Sequence, residues 1–386
     1  MKNYLSLLLL LLFCSQAAYA SGERLSQYTN NMVQQANHLV GEKEFAQAIQ
    51  LLKKADLSRE YDKVYVARML GVIYWQNNQN KLAIQQLSTA VNSNVLHDEQ
   101  AWTTKKMLAD LLLMQHQYEQ SLHYYYSLID NMPKQESGAD VWLRIAQANY
   151  QLSRWKQVLS AMKQYDEYKK APTVSPISLK LGAQVQLQLW HKAAVTANRL
   201  IALEPENLIW WRQLVAIQLR ENKTKAALNT MSLAKLQGLQ LTQKDIQLLA
   251  QLYAQVGIPL RAAQTMEQIK DISSDINLLT QQAAYWQLAK EWPKAVKSWL
   301  LAAKKNNKYR WNAIQILTQQ GEDKKAISEL DKITAPKQQA KVALIKAQAY
   351  YRLGDIKLAV EQAKYSKKLK DTEEARSWVD YLATQQ

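Results

Sequence analysis

The sequence has few of the residues that thiol chemistry and sheet-rich folds need. Its single cysteine, Cys14, lies within the first 20 residues. Beyond that point the chain has no thiol for a disulfide, a thiolate metal site or thiol catalysis. Only nine glycines and seven prolines occur among 386 residues, and these are the main turn formers. With abundant Leu, Ala, Gln and Lys, this composition predicts an almost entirely helical protein.

Long hydrophobic runs are also missing, except near the N-terminus. Lys2, the apolar run 5–13 and Ala18-Tyr19-Ala20 have the order of a secretory signal peptide, so we expect residues 1–20 to be removed. The run is too short for a bilayer helix, which needs roughly 20 apolar residues, and we expect no transmembrane segment. Leu-Leu-Phe precedes Cys14 where a lipoprotein site needs a small residue, which disfavours lipidation. A large exported chain without disulfides suits the periplasm of a Gram-negative bacterium.

The charge is strongly basic. The formal net charge is +16, and the segment from Glu291 to the end contains 19 Lys or Arg and 11 Asp or Glu. Such a surface attracts nucleic acid, anionic lipid or acidic protein. Export makes nucleic acid the least suitable of the three, and we expect no nucleic-acid partner. The alternative is a solvated basic surface with no partner.

Similar segments recur along the chain. "MLGVIYWQNNQNKLAI" (69–84), "LLAQLYAQVGIPLRAA" (248–263) and "KAQAYYRLGDIKLAVEQA" (346–363) repeat one pattern. A small residue marks the second helix of each repeat, at spacings of 31 to 38 residues with a mean of about 35. These ten markers are Ala48, Ala83, Ser121, Val158, Ala193, Ala227, Ala262, Ala295, Ala326 and Ala359.

A second small position falls on the first helix of each repeat, where it lets the two helices approach closely. Val215 and Ile314 hold it in two repeats, and Leu181 holds it beside Gly182, where we expect a one-residue contraction of the turn. Small residues hold it in the others: Ala36, Gly71, Ala109, Ala146, Ala250, Ala283 and Ala347. Turns between the two helices are indicated by Gly257, Gly321 and Gly354.

These motifs resemble the tetratricopeptide repeat family over roughly residues 30–370. The resemblance implies an all-α fold, a right-handed α-solenoid of about ten helix pairs. Pro172 and Pro176 predict a non-helical joint at 169–176. It would divide about four N-terminal repeats (21–168) from about six C-terminal repeats (177–370), with a capping helix at 371–386.

No catalytic set emerges from the sequence. His116 and His123 are seven residues apart without a further ligand at metal-binding spacing. Acidic pairs such as Asp98-Glu99 and Glu373-Glu374 stand where helix N-termini are expected, which the helix dipole favours. We therefore predict a non-enzyme with no cofactor and no metal.

Repeat arrays offer a surface instead, and the resemblance implies that the first helices line a concave, partner-binding groove. Its basic and aromatic character predicts an acidic peptide or a C-terminal carboxylate as the ligand, although a glycan or lipid head groups stay open. Each aromatic could equally pack against a neighbouring helix. Because exposed charges add little stability, Arg212→Glu with Arg352→Glu should weaken binding and leave unfolding unchanged. The predicted groove residues are Arg68, Trp75, Lys106, Gln147, Tyr150, Arg212, Lys244, Lys308, Trp311, Tyr351 and Arg352.

A narrower resemblance covers residues 202–267, which begin "ALEPENLIWWRQL" and end "LLAQLYAQVGIPLRAAQTME". The Trp-rich helix start after a Pro and the Leu-x-x-Leu-Tyr segment are similar to exported repeat proteins encoded beside TonB, ExbB and ExbD in gamma-proteobacteria. That resemblance implies a non-catalytic accessory of TonB-dependent iron uptake, bound to an acidic TonB-type or ExbD-type segment. The alternative is an envelope assembly or quality-control adaptor acting on peptidoglycan enzymes or outer-membrane proteins.

The adjacent tryptophans of this stretch have different expected roles. Trp211 lies at a first-helix position where the family prefers Trp, so we expect it to be architectural. Trp210 is turned about 100° away on the helix and either packs on the preceding repeat or contacts a partner.

Overall fold

The computed structural model describes residues 24–134 and 136–385. The predicted signal peptide lies outside these residues. Within them the secondary structure is helical, with no strand. The chain forms two compact units that meet between Leu203 and Glu204.

The first unit contains ten α-helices in its described residues. They are α1 (Gln27–Gly41), α2 (Phe45–Lys53), α3 (Glu60–Gln76), α4 (Asn80–Asn92), α5 (Asp98–Met114), α6 (Tyr118–Asp130), α7 (Gly138–Gln151), α8 (Trp155–Glu167), α9 (Val174–Gln186) and α10 (Trp190–Leu203).

The second unit contains eleven α-helices in the part that the structure describes. They are α11 (Leu208–Arg220), α12 (Thr224–Leu236), α13 (Gln243–Gln255), α14 (Pro259–Met266), α15 (Ile276–Leu288), α16 (Trp292–Lys305), α17 (Arg310–Gln319), α18 (Asp323–Leu330), α19 (Gln339–Arg352), α20 (Ile356–Leu369) and α21 (Glu373–Ala383). Short 3₁₀ turns at Asn307–Tyr309 and Pro336–Gln338 lead into α17 and α19.

Each odd-numbered helix from α1 to α19 packs against the even-numbered helix that follows it. The connection inside a pair is short, so the two helices run antiparallel as a helical hairpin. Within each unit, each second helix also contacts the first helix of the next pair. The predicted all-α class, with ten helix pairs and a final helix, is confirmed.

A left-handed backbone residue follows the first helix in all ten pairs. Two hydrogen bonds close each corner, as in the Schellman motif. At Asn78, for example, its N–H donates to the Trp75 carbonyl at 3.0 Å and the next N–H donates to the Tyr74 carbonyl at 2.8 Å. The ten corner residues are Lys43, Asn78, His116, Ser153, Gln188, Asn222, Gly257, Lys290, Gly321 and Gly354.

These corners fix one register for every pair. The first-helix position predicted to be small lies seven residues before the corner, and the second-helix marker lies five residues after it. Leu181 obeys this spacing to Gln188, so the predicted one-residue contraction beside Gly182 is wrong. The variation in period therefore lies wholly between one pair and the next, where loop length is not fixed by a corner.

The small markers lie at the closest contact between the helices of a pair. In the pair formed by α3 and α4, a Cβ added to Gly71 would lie 2.6 Å from Leu87 Cγ. Ser121 is tolerated in the apolar contact because its hydroxyl donates to the Ala109 carbonyl at 2.9 Å. All ten second-helix markers are fully buried, as the sequence predicted: Ala48, Ala83, Ser121, Val158, Ala193, Ala227, Ala262, Ala295, Ala326 and Ala359.

The last helix, α21, packs against α20. Leu382 is fully buried and shares an apolar cluster with Ala359 and Ala363 of α20, with Trp378 packed at its border. This helix covers an apolar face of α20 that would otherwise meet water.

The proline-containing segment 169–176 is helical only in its second part. Residues 168–173 lie outside a helix, and α9 begins at Val174 with Pro176 in its first turn, where proline needs no backbone donor. Helices α8 and α9 on either side of the segment belong to the same compact unit. The four-plus-six division of the repeats stays a prediction.

Candidate protein-binding surfaces on the first helices

The groove residues predicted from the sequence lie on first helices, apart from Lys308, which lies in the 3₁₀ turn before α17. Five belong to the first unit: Arg68, Trp75, Lys106, Gln147 and Tyr150. Six belong to the second unit: Arg212, Lys244, Lys308, Trp311, Tyr351 and Arg352. The two sets are therefore two surfaces, each positioned by its own helices.

In the first unit, the two predicted cations are engaged by neighbouring polar or aromatic groups. Arg68 donates from Nε to the Thr104 hydroxyl at 3.0 Å, which joins successive first helices α3 and α5. Its guanidinium lies 5.9 Å from the ring centre of Tyr65. Lys106 Nζ lies 5.6 Å from the ring centre of Trp102. Neither cation forms an ion pair among the described residues, so both keep charge available to a ligand.

The two aromatic residues of this set are half-buried packing groups. Trp75 borders the apolar cluster around α3 and α4. Tyr150 meets Trp155 edge to face with ring centres 5.0 Å apart. A Cβ added to Gly182 would lie 2.7 Å from the Tyr150 hydroxyl, so the glycine makes room for this ring. The packing interpretation therefore accounts for Tyr150.

Asp110 organises the polar groups between α5 and α7. It accepts a 2.5 Å hydrogen bond from the Tyr125 hydroxyl, and Arg144 Nε lies 3.7 Å from its carboxylate. Arg144 also donates to the Gln147 amide oxygen at 3.0 Å. Burial and the nearby Asp110 charge raise the pKa of Tyr125, so its hydroxyl stays a proton donor. Gln147 is thus held by Arg144 on the surface of α7.

In the second unit, Arg212 is bound to a buried carboxylate. Its Nε and Nη2 atoms donate to the two oxygens of Asp245 at 2.8 and 2.6 Å, and the Asp245 side chain is only 8% exposed. Asp245 also accepts from the Thr242 hydroxyl and backbone N–H in the capping box of α13. Burial acts to raise the pKa of Asp245, but these hydrogen bonds outweigh it and leave the pKa lowered.

Arg352 repeats this arrangement with Asp323 at the start of α18. Three hydrogen bonds of 2.6 to 3.1 Å join the pair, and the Asp323 side chain is 4% exposed. The expectation that Arg212 and Arg352 are free surface charges is therefore wrong. Each arginine neutralises a buried acid, so charge reversal would leave that acid without its partner. Sequence reasoning missed these pairs because the aspartates lie 33 and 29 residues away.

A basic and aromatic surface remains around Trp311, and we name Lys308, Trp311, Gln338 and Lys341 the Trp311 surface. Lys341 Nζ lies 4.6 Å from the Trp311 ring centre, and Lys308 Nζ lies 4.8 Å from that of Tyr309. Trp311 Nε1 donates to the Gln338 amide oxygen at 3.3 Å. Both lysines are exposed, and neither forms an ion pair among the described residues. Lys341 was missed by the sequence analysis.

Tyr351 belongs to an aromatic cluster with α21. Its hydroxyl lies 2.6 Å from that of Tyr381, and the rings of Tyr351, Trp378 and Tyr381 meet edge to face with centres 5.5 to 5.9 Å apart. The hydrogen bond with Tyr381, more than burial, raises the pKa of Tyr351. Lys244, the remaining predicted cation, is exposed near the start of α13.

The two tryptophans that follow Pro205 have separate partners. Trp211 is 3% exposed and donates from Nε1 to the Pro205 carbonyl at 2.8 Å. Trp210 is half-buried and donates to Glu204 at 2.8 Å, which lowers the pKa of that carboxyl. Trp211 is architectural, as predicted. Trp210 stabilises the turn that leads into α11 through this hydrogen bond.

The described residues contain no cluster of three or more His, Cys, Asp or Glu able to hold a metal ion. In the same residues, no helix is long and apolar enough to cross a membrane.

The pairs, their common corner and the fixed register identify the architecture. The fold is a tandem array of antiparallel helix pairs, similar to that of tetratricopeptide repeat proteins. No protein-family model and no curated protein matches the chain.

Solved structures similar to the chain include repeat proteins of this kind. A tetratricopeptide repeat protein from Parabacteroides merdae has 14% identity and a TM-score of 0.41 over 67% of this chain and 99% of that one. The C-terminal part of a repeat protein from Cytophaga hutchinsonii has 15% identity and a TM-score of 0.39, with 71% and 99% covered. The APC/C hetero-tetramer Cut9–Hcn1 has 12% identity and a TM-score of 0.27, with 92% and 83% covered.

Proposed function

We propose that the protein is a non-catalytic, exported scaffold of the periplasm that binds an acidic peptide segment of another protein. The proposed setting is TonB-dependent iron uptake, with a TonB-type or ExbD-type segment as the partner. The sequence resemblance over 202–267 supports the role in iron uptake. The signal-like residues 1–20 support the periplasmic location.

The Trp311 surface carries the proposal of an acidic ligand. Two cations close to it in sequence already have carboxylate partners, since Arg310 pairs with Glu329 and Lys346 with Asp331. Lys308 and Lys341 are instead held beside aromatic rings. An incoming carboxylate would gain a charge-assisted hydrogen bond from such a lysine without displacing an internal acid.

The aromatic component narrows the ligand to a peptide. Trp311 presents a rigid apolar ring beside Lys341, and Trp is enriched among residues that dominate binding energy at protein interfaces. A bare anion would not use that ring, whereas a side chain next to an Asp or Glu would pack on it. Recognition by charge and packing together is common in peptide-binding grooves.

The proposal is tested by capture from a cell envelope. The purified chain without residues 1–20 is immobilised and exposed to envelope extract from iron-starved cells that express the protein. We expect the wild-type chain to retain a TonB, ExbB or ExbD component. Trp311→Ala with Lys341→Glu should lose at least about 90% of that signal, because an interface anchor and a cation are removed. Lys225→Glu, an exposed lysine of α12, is the control.

Two outcomes would contradict the proposal. Retention of division or outer-membrane assembly proteins in place of TonB components would favour the adaptor alternative. Equal retention by the wild-type and the Trp311→Ala, Lys341→Glu chains would exclude the Trp311 surface. Fractionation of intact cells tests the periplasmic location separately, and recovery of the protein in the cytoplasmic fraction would contradict that location.

A further inference from the structure

Helix α20 exposes lysines and large apolar side chains together. Tyr365 and Leu369 are 47% and 45% exposed and lie one turn apart. Lys364 and Lys368 are exposed beside them with the same spacing, and Lys357 is exposed two turns earlier. We call these five residues the α20 patch. The opposite face of α20 is covered, because Ala359 and Ala363 are fully buried in the cluster with α21.

The helix that carries the patch has an excess of positive charge. Residues 356–370 contain five lysines and one acid, Glu361. None of the five lysines forms an ion pair in the described part of the chain. Asp371, the next acid, faces Arg376 at 3.2 Å.

Helix stability explains only part of this arrangement. Lys367 and Lys368 lie in the last turn of α20, where the helix dipole favours cations. The dipole does not account for Lys357 or Lys364, which lie earlier in the helix, or for exposed apolar side chains between lysines. Leu236 and Leu288 are more exposed, at 82% and 65%, but each has a single lysine within two residues.

The type of cation indicates the kind of partner. Four arginines of this unit are bound to carboxylates: Arg212, Arg310, Arg352 and Arg376. The α20 patch has only lysines, which are flexible point charges without the planar fork that matches one carboxylate. Lysines around a Tyr and a Leu suit a diffuse layer of phosphate head groups above an apolar interior.

We propose that the α20 patch docks the protein on an anionic phospholipid surface. The lysines contact head-group phosphates, and Tyr365 and Leu369 enter the boundary between head groups and acyl chains. The contact is peripheral and reversible, and it uses a second helix. It therefore does not depend on the first-helix Trp311 surface or on the identity of a protein partner.

Vesicle co-sedimentation tests the proposal. The full chain without residues 1–20 is mixed with phosphatidylcholine vesicles, with or without about 30% phosphatidylglycerol. We expect sedimentation only with the anionic vesicles and release as salt is raised. Lys364→Glu with Lys368→Glu should lower the partition coefficient at least about tenfold. Tyr365→Ser with Leu369→Ser should lower it about fivefold.

A charge-matched control separates the patch from net charge. Lys156→Glu with Lys163→Glu changes two exposed lysines of α8 and the net charge equally, and it should leave most binding intact. Equal loss in both charge variants would overturn the assignment to α20. Failure of the wild-type chain to bind anionic vesicles would overturn the proposal, as would binding to polyglutamate alone, which would indicate an acidic protein. Circular dichroism of each variant verifies the fold.

Discussion

Two hydrogen bonds, 2.8 and 2.6 Å long, join the guanidinium of Arg212 to the carboxylate of Asp245 across successive first helices. Asp245 is also the third residue of α13 and closes its capping box with Thr242. One carboxylate therefore caps its own helix and binds the preceding helix pair. Arg212, one of the eleven predicted groove residues, is thus part of the contact between repeats.

Arg212→Ala should destabilise the second unit by about 1–3 kcal/mol, because it leaves the buried carboxylate of Asp245 without its cation. Thr242 still donates to Asp245, which limits the loss. Urea unfolding followed by circular dichroism measures the effect. Arg220→Ala is the control, since Arg220 is exposed on the same helix without an ion pair among the described residues. Equal effects of the two substitutions would contradict the structural role.

The destabilisation by Arg212→Ala should depend on pH. The pKa of Asp245 is lowered in the folded protein, whereas it is about 3.9 in an unfolded chain. Its contribution is fully present above that unfolded value and is lost as the pH falls through the folded pKa. The difference in unfolding free energy between the wild-type and Arg212→Ala chains should be constant from about pH 7 to 5 and shrink below about 4. Urea unfolding across this range is the measurement, and a difference that does not shrink at all as the pH falls below about 4 would exclude this origin.

Gly71→Ala should destabilise the first unit by about 1–3 kcal/mol. The new methyl would lie 2.6 Å from Leu87 Cγ and 3.2 Å from the Leu87 backbone nitrogen. The free-energy cost of this overlap should exceed the gain in helix propensity, which is roughly 1 kcal/mol. Gly41→Ala is the matched control, because a Cβ added at Gly41 meets no heavy atom within 4 Å. Thermal unfolding of both variants tests this prediction. A stabilised Gly71→Ala chain would be inconsistent with the close helix contact.

Trp211→Ala should cost about 3–5 kcal/mol, since the side chain is only 3% exposed and its removal leaves a large buried cavity. Trp210→Ala, next to it, should cost only roughly 1 kcal/mol, because its ring is half-buried and its hydrogen bond goes to Glu204. Urea unfolding of the two variants gives the comparison. A larger loss for Trp210→Ala would reverse the assignment of the two rings.

Lys290→Gly should stabilise the second unit by about 0.5–1 kcal/mol. Lys290 holds a left-handed corner with φ 58°, which costs a residue with a Cβ about 1 kcal/mol and glycine almost nothing. Gly354→Ala is the reverse test, because its corner has φ 80° and open space around the new Cβ, so only backbone strain is added. Differential scanning calorimetry should show a higher Tm for the first variant and a lower Tm for the second.

The repeat was predictable because its signal is local and occurs ten times. A small residue such as Ala83 or Ala262 must stand where two helices touch, and the spacing of these residues alone indicates the number of pairs. Seven of the ten corners have no glycine, so positions such as Lys290 carry no turn signal in the sequence. The corner is set instead by backbone hydrogen bonds that any residue except proline can donate.

The binding surface was less predictable because a charge reveals its partner only in three dimensions. Arg212 and Lys341 are both basic residues on first helices, yet one neutralises Asp245 and the other lies beside Trp311. Asp245, whose presence distinguishes Arg212 from Lys341, is 33 residues from Arg212 in the sequence. Helix periodicity indicates which face a residue occupies, but it does not show whether the opposite charge is on the next helix.

The ten corners also bear on how the chain folds. Each helix pair closes through a connection of a few residues, and even a distant side-chain contact such as Tyr61 with Gln100 spans only 39 residues. Contacts this local lose little loop entropy before they form, so we expect each helix pair to form quickly. Under mechanical load, a chain built in this way gives way one helix pair at a time rather than in a single cooperative event.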